Sequence, residues 1–389
     1  MSAPPTVTWS AANARRMERQ FLLTTAKPGQ AGPGEVVDAM LAAQAQVLSA
    51  AELSVGLRMD GATRQDVRDA LWGEEPSLVK TNGPRGTIHL LPYAQLPLRT
   101  AALPAVPSGP SSFKPEARVT PAQAEEIVTA IGEALDGVRL TIDELSEAVV
   151  ARTGPWAGDL VMPAFQGMWP RWRQVMHLAG QRGALCFAPD RGRKVTYTRP
   201  QEFGEPMGAE EATRQLVRRF LYAYGPATSH EYAKWLAGPP GWASTLFASL
   251  SSAGEIEAVD MEGEAASWVV AGDTEFPAQP AQGVRLLPYF DAYVIASHPR
   301  ARLFPGRAYE RALNRGQAGN FPVLLVDGVA AGVWHQRRSG RRVTVTVEPL
   351  DRLSARQERG LAVEVERVGE VLEARPELVV GTVGVGPHA

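Results

Sequence analysis

Two amides one residue apart are the side chains of this 389-residue chain whose spacing most suggests chemistry. They are Gln44 and Gln46, in the run Met40-Leu-Ala-Ala-Gln-Ala-Gln-Val-Leu-Ser-Ala-Ala-Glu-Leu53. An amide accepts a hydrogen bond through its oxygen and donates through its nitrogen. It cannot act as a strong base. In an unbroken helix residues two apart point about 200° from each other and cannot serve one site. Ser49-Ala-Ala-Glu52 reads as a capping box, which predicts that one helix ends near Gln46 and another begins after Ser49. At such a junction both amides face one pocket; the alternative is two polar residues at a helix end with no further role. The common catalytic signatures are missing: no phosphate-cradling loop, no Gly-x-Gly-x-x-Gly after a strand, no nucleophile elbow and no His-Glu-x-x-His. His89, His177, His230, His298, His335 and His388 show no metal-ligand spacing, and Cys186 is the single cysteine. Neither a metal nor a cofactor is expected, and an internal disulfide is excluded.

Three helix-start signals lie along the chain that must position these amides: Thr63-Arg-Gln-Asp66, Thr141-Ile-Asp-Glu144 and Thr228-Ser-His-Glu231. In each, the threonine caps free backbone N–H groups and the acid lies near the positive end of the helix dipole. A helical stretch precedes each one, at Gly34–Arg58, Pro121–Leu135 and Glu210–Tyr224. A pair of strands joined by turn residues follows each one. These pairs are Leu78–Lys80 with Gly86–Leu91, Ala184–Ala188 with Lys194–Thr198, and Ile256–Met261 with Ala266–Val270, the last joined by Glu262-Gly-Glu264. Helices followed by a hairpin, repeated in series, predict tandem winged-helix units.

Pro104–Pro115 reads as a linker, and Pro277-Ala-Gln-Pro280 marks a second boundary. Beyond it, Val284–Leu287, Tyr293–Ile295, Val323–Val326, Ala331–Trp334 and Arg342–Val347 read as strands, with Asp327-Gly328 as a hairpin turn. Ser354–Leu372 reads as a long amphipathic helix, with a final strand from Glu377. The expected fold is therefore α+β: three winged-helix units followed by a C-terminal antiparallel, β-barrel-like domain. The expected boundaries are 1–103, 116–205, 206–275 and 283–389.

Lysine and arginine total 40 against 42 acids, a net charge of −2. That total excludes a uniformly basic protein but not a polarised one. Between Arg171 and Arg199 seven basic residues face one acid, Asp190. Arg300, Arg302, Arg307, Arg311 and Arg315 form a second cluster, and Arg337, Arg338, Arg341 and Arg342 a third, at a turn. The acids concentrate in Glu125–Glu147, Glu255–Glu264 and Glu358–Glu377. If the fold gathers the basic runs, one face suits a polyanion, with solvated surface arginines as the alternative. Trp169, Trp172, Tyr289, Phe290 and Tyr293 lie close by, as stacking platforms or as core anchors. No apolar run approaches the ~18 residues of a membrane span, and the start lacks a basic-then-apolar signal. A cytoplasmic location without membrane contact is the expectation.

Gln44-Ala-Gln46, Leu71-Trp-Gly73, Arg85-Gly-Thr-Ile-His-Leu-Leu-Pro92 and Leu287-Pro-Tyr-Phe-Asp-Ala-Tyr293, in that order, resemble the winged-helix DNA glycosylases, the AlkZ-like and YcaQ-like superfamily. The likeness runs from about Ser10 to the last strands. It implies excision of alkylated bases from double-stranded DNA, without lyase activity, by a monomer with a basic concave surface. The family's catalytic element is Gln or His, any residue, then Gln or Asp. Gln44 and Gln46 match the Gln-x-Gln form of the azinomycin-resistance branch and depart from the Gln-x-Asp form of the crosslink enzyme. The implied reaction is hydrolysis of the N-glycosidic bond of N7-alkylated purines, in repair or self-resistance to a genotoxin. Arg85, His89, Arg191, Arg193, Lys194, His298, Arg300 and Arg302 are the expected DNA contacts. Asp291 is expected to orient an arginine or cap a turn rather than act as a base. A non-catalytic winged-helix DNA-binding protein or regulator is the alternative.

Overall fold

The computed structural model describes residues 6–109, 113–164, 167–201, 203–204, 207–262 and 266–387. Part of the Pro104–Pro115 linker, two residues of the Glu262–Glu264 turn, and His388 lie outside the described residues.

Three regions each place three helices before a hairpin. The first runs through helices Pro33–Ala39, Leu48–Gly56 and Arg64–Trp72 to strands Leu78–Asn82 and Ile88–Pro92. The second runs through Pro121–Ala134, Ile142–Thr153 and Met176–Gln181 to Cys186–Arg191 and Lys194–Thr198. The third runs through Ala209–Tyr224, Ser229–Leu236 and Pro240–Ser252 to Ile256–Met261 and Ser267–Val270. All three threonine capping boxes form as the spacing predicts. Their register differs, however. Thr141 and Thr228 start the second helix of their regions, whereas Thr63 starts the third helix of the first.

A short extended segment precedes the second helix in every region and pairs with the hairpin. Leu140–Thr141 pairs with Tyr197 and Thr196, Ala227 bridges Trp268, and Ala43–Gln44 pairs with Leu90 and His89. The segment carrying the two glutamines thus stands where the other regions carry a capping threonine. The second region also holds a hairpin that the sequence reading did not foresee, Leu160–Ala164 with Gly167–Pro170.

The C-terminal region is an open sheet. Its strand order is Val284–Leu287, Val323–Val326, Val329–Ser339, Arg342–Pro349 and Arg375–Val380. The first four are antiparallel to their neighbours and the last is parallel. Among the described residues the sheet does not close into a barrel, and the two outer strands remain edges. Helix Ala355–Leu372 covers one face through Leu361, Val365, Val368 and Leu372, which share a core with Val284, Leu286, Val343 and Val345. Asp327 and Gly328 both take positive φ, 50° and 84°, as a tight two-residue hairpin turn requires. The expected strand at Tyr293–Ile295 is instead helix Ala292–Ala296, because the Asp291 side chain accepts from the Tyr293 N–H and caps it. A short apolar run does not by itself distinguish strand from helix.

The amino-terminal residues stitch distant parts together. Thr6–Val7 pairs in parallel with Asp260–Met261 of the third hairpin. From helix Trp9–Arg19, Arg16 donates to the Pro226 carbonyl at 2.6 Å and the His298 carbonyl at 2.5 Å. Asn13 donates to the Gly328 carbonyl at 2.8 Å. These bonds fix the third region against the C-terminal sheet, and the cavity described below lies between them.

Candidate active site

Extended backbone explains how two residues one apart meet. Successive strand side chains point to opposite faces, so positions i and i+2 share one. Ala43 and Ala45 are buried in the core of the first region, and the pairing continues as the Ala45 N–H donates to the Ile88 carbonyl at 2.8 Å. Gln44 and Gln46 take the other face, where Gln44 Nε2 donates to Gln46 Oε1 at 2.6 Å. The expected break between two helices is present with other bounds: helix Pro33–Ala39 ends before the strand, not near Gln46, and the next helix begins at Leu48. Ser49 does not cap: helix Leu48–Gly56 begins after Val47 with no side-chain cap, and Glu52 binds Arg68 at 2.6 Å instead. That helix is anchored by Leu53 and Leu57, which join the core under the C-terminal helix.

The tip of the first hairpin turns inward. Arg85 has φ +60°, a left-handed conformation unusual for a side chain with a Cβ. Its guanidinium donates to Gln44 Oε1 at 2.8 Å and to the Trp235 carbonyl at 2.9 Å. Gln44 and Arg85 line one wall of a cavity of about 780 Å³. The third region contributes His230, Glu231, Lys234 and Trp235, and the C-terminal region Phe290, His298, Arg300 and Tyr309. Gln46 is exposed beside it. Sequence reasoning missed His230, Glu231, Lys234 and Tyr309 as lining residues. They come from separate regions, and no spacing joins them to Gln44.

Several expected DNA contacts are occupied otherwise. His89 is buried, and its Nδ1 lies 2.9 Å from the Thr87 carbonyl. A carbonyl only accepts, so Nδ1 carries the proton. Burial, aided by Arg85, pushes His89 down to about 3, and burial with Arg300 does the same to His298. Both rings are neutral at pH 7, and His89 is packed within its strand. Arg300 donates to the Ser297 carbonyl at 3.0 Å and also to the Val294 and Ile295 carbonyls, closing the end of helix Ala292–Ala296. Arg302 is exposed.

In the second region, Arg191 pairs with Glu144 and Lys194 with Asp143, while Arg193 is exposed at the turn. Arg171, Arg182 and Arg199 pair with Asp159, Glu125 and Asp136. Basic and acidic runs expected on opposite faces are therefore interleaved here. Trp172 is core, whereas Trp169 is partly exposed with the Arg173 guanidinium 3.8 Å over its ring. Asp291 makes two bonds to Arg58, at 2.8 and 2.9 Å, with both side chains fully buried. It orients an arginine and caps a helix, and it does not line the cavity. No cluster of three or more metal-binding side chains occurs among the described residues.

The family model for AlkZ-like DNA glycosylases matches residues 37–371. The chain belongs to the AlkZ-like DNA glycosylase family. An interstrand DNA cross-link repair glycosylase from Streptomyces sahachiroi is 33% identical over 343 residues, 84% of this chain and 87% of that one. The solved structure of Streptomyces sahachiroi DNA glycosylase AlkZ matches with a TM-score of 0.74 at 28% identity, over 97% of this chain and all of that one. Membership makes the chain a DNA glycosylase with DNA as its substrate, and accounts for the mixed α+β architecture. No helix among the described residues is long and apolar enough to cross a membrane.

Proposed function

We propose that this glycosylase hydrolyses the N-glycosidic bond of N7-alkylated purines, including bulky or crosslinking adducts, with Gln44 and Gln46 holding the water. The observation that carries the reading is the hydrogen-bonded amide pair on one strand face beside a cavity. Interstrand cross-link repair by the Streptomyces sahachiroi relative supports the adduct class. The three helix-and-hairpin regions are read as winged helices that hold the duplex, with Arg193 among their exposed cations and Arg302 exposed on the C-terminal region.

The chemistry suits amides. A purine alkylated at N7 carries positive charge and departs with the C1′–N9 electron pair, becoming neutral. No strong acid is needed to expel it. The developing oxocarbenium ion then takes a water oxygen at C1′, and the water proton passes to solvent. Positioning that water is the remaining task, and hydrogen-bond acceptors held in place perform it. The substrate's own charge supplies the reactivity, so unmodified guanine should be a poor substrate.

The test incubates the protein with duplex DNA bearing one N7-alkylguanine and then applies alkali. Strand breaks that disappear in Gln46→Ala, with DNA affinity kept within a few-fold, are expected. Breaks that persist in Gln46→Ala contradict the assignment of the water site. Binding without breaks in the wild type contradicts the activity.

A further inference from the structure

Arg85 belongs to a run expected to contact phosphate, yet its guanidinium is turned away from that task. One fork nitrogen donates to Gln44 Oε1 at 2.8 Å and the other to the Trp235 carbonyl at 2.9 Å. Trp235 lies in the last turn of helix Ser229–Leu236, where free carbonyls and the negative dipole end attract a cation. The backbone is built around this placement. Asn82 Nδ2 donates to the Gly86 carbonyl at 2.9 Å, and Gln181 Nε2 to the Gly83 carbonyl at 3.2 Å. A Cβ at Gly83 would meet the His89 ring at 2.9 Å, so the tip closes down on that histidine.

We propose that Arg85 is a positioning residue that sets which way the Gln44 amide faces, and through it the amide of Gln46. This rests on the reading that the two glutamines hold the water. A guanidinium has donors and no acceptor, so the Gln44 atom facing it must be oxygen. The Gln44 nitrogen is thereby directed at Gln46, and the Gln46 atom receiving it must also be oxygen. The chain Arg85 to Gln44 to Gln46 has one direction. Without Arg85, each amide can exchange oxygen and nitrogen by a half-turn of nearly equal shape, and the acceptor geometry around the water is no longer unique. The cation also draws electron density toward the Gln44 oxygen, which strengthens its nitrogen as a donor. Because Arg85 is held by the carbonyl of Trp235, the third region sets the orientation of a side chain in the first.

The deciding experiment compares Arg85→Ala and Arg85→Lys in single-turnover excision of N7-alkylguanine at saturating protein, beside DNA affinity measured across a salt series. The positioning role predicts a saturating rate lowered on the order of tenfold to a hundredfold in Arg85→Ala. DNA affinity and its salt slope should stay at wild-type values. Arg85→Lys should recover only part of the rate, because an ammonium keeps the charge but cannot span both partners as the planar fork does. A phosphate contact predicts the reverse: an unchanged saturating rate, weaker binding in Arg85→Ala, a salt slope lower by about one, and near wild-type behaviour in Arg85→Lys. That result overturns the proposal. If Arg85→Ala fails to fold, the Arg85→Lys rate alone decides, since only the positioning role lowers it. Gln46→Ala, run alongside, reports on the underlying water site, so that its failure and that of the Arg85 role are told apart.

Discussion

Gln44 lies opposite His89 across two paired strands, and Arg85 reaches back from the hairpin tip to join them. The glutamine pair was legible in the sequence through the Gln-x-Gln motif of the family it resembles, whereas spacing alone did not separate it from two polar residues at a helix end. The partner was not, since Arg85 lies 41 residues away and acts from a left-handed backbone that no local spacing announces. His89 was legible as a strand residue but not as a buried neutral one. Its titration gives a prediction. In the unfolded chain a histidine takes a proton near 6.5, whereas burial holds folded His89 down to about 3. Between those values the unfolded state binds more protons, so stability present above pH 6.5 is lost as pH falls toward 3. The slope is about 1.4 kcal/mol per pH unit for one such group. His89→Asn keeps a donor for the Thr87 carbonyl and loses the titration. Urea denaturation should therefore show a shallower loss of stability between pH 6.5 and 5 in His89→Asn than in wild type. Parallel curves would place the proton elsewhere.

Capping boxes separate the elements that sequence could place from those it could not. Thr63, Thr141 and Thr228 cap helices as their spacing predicts, because each precedes an amphipathic run with nothing competing for the threonine. Ser49 has the same spacing to Glu52 but lies inside a helix, since pairing of Ala43–Gln44 with the hairpin extends the chain as far as Val47. Glu52 turns instead to Arg68. Tertiary pairing overrode a local signal there, and an aspartate cap overrode an apolar pattern at Ala292–Ala296. Thr141→Ala should cost about 1 kcal/mol of unfolding free energy, whereas Ser49→Ala should be close to neutral. Chemical denaturation of the two variants checks this, and an equal loss in both would restore Ser49 as a cap.

Across the whole molecule, the near-zero net charge conceals local pairing more than it conceals two opposed faces. Five of the seven basic residues between Arg171 and Arg199 bond to acids, four of these within the run Glu125–Glu147 that was expected elsewhere. Exposed cations remain at Arg193, Arg337, Arg341 and Arg342. DNA binding should still weaken steeply with salt, since each phosphate contact adds about 0.9 to the logarithmic slope. Asp143→Asn, which releases Lys194, should tighten binding and steepen that slope. A flat salt response would remove the second hairpin from the DNA surface. The amino-terminal helix holds the third region against the C-terminal region, and Arg85 joins the third region to the first, so that residues far apart in sequence wall one cavity. The most direct measurement compares excision of N7-alkylguanine with that of unmodified guanine in the same duplex, read as alkali-dependent strand breaks in wild type and Gln46→Ala. Breaks confined to the alkylated base and lost with Gln46 are the expected result. Comparable excision of unmodified guanine, or cleavage indifferent to Gln46, would contradict a site that relies on the substrate's charge and two amides.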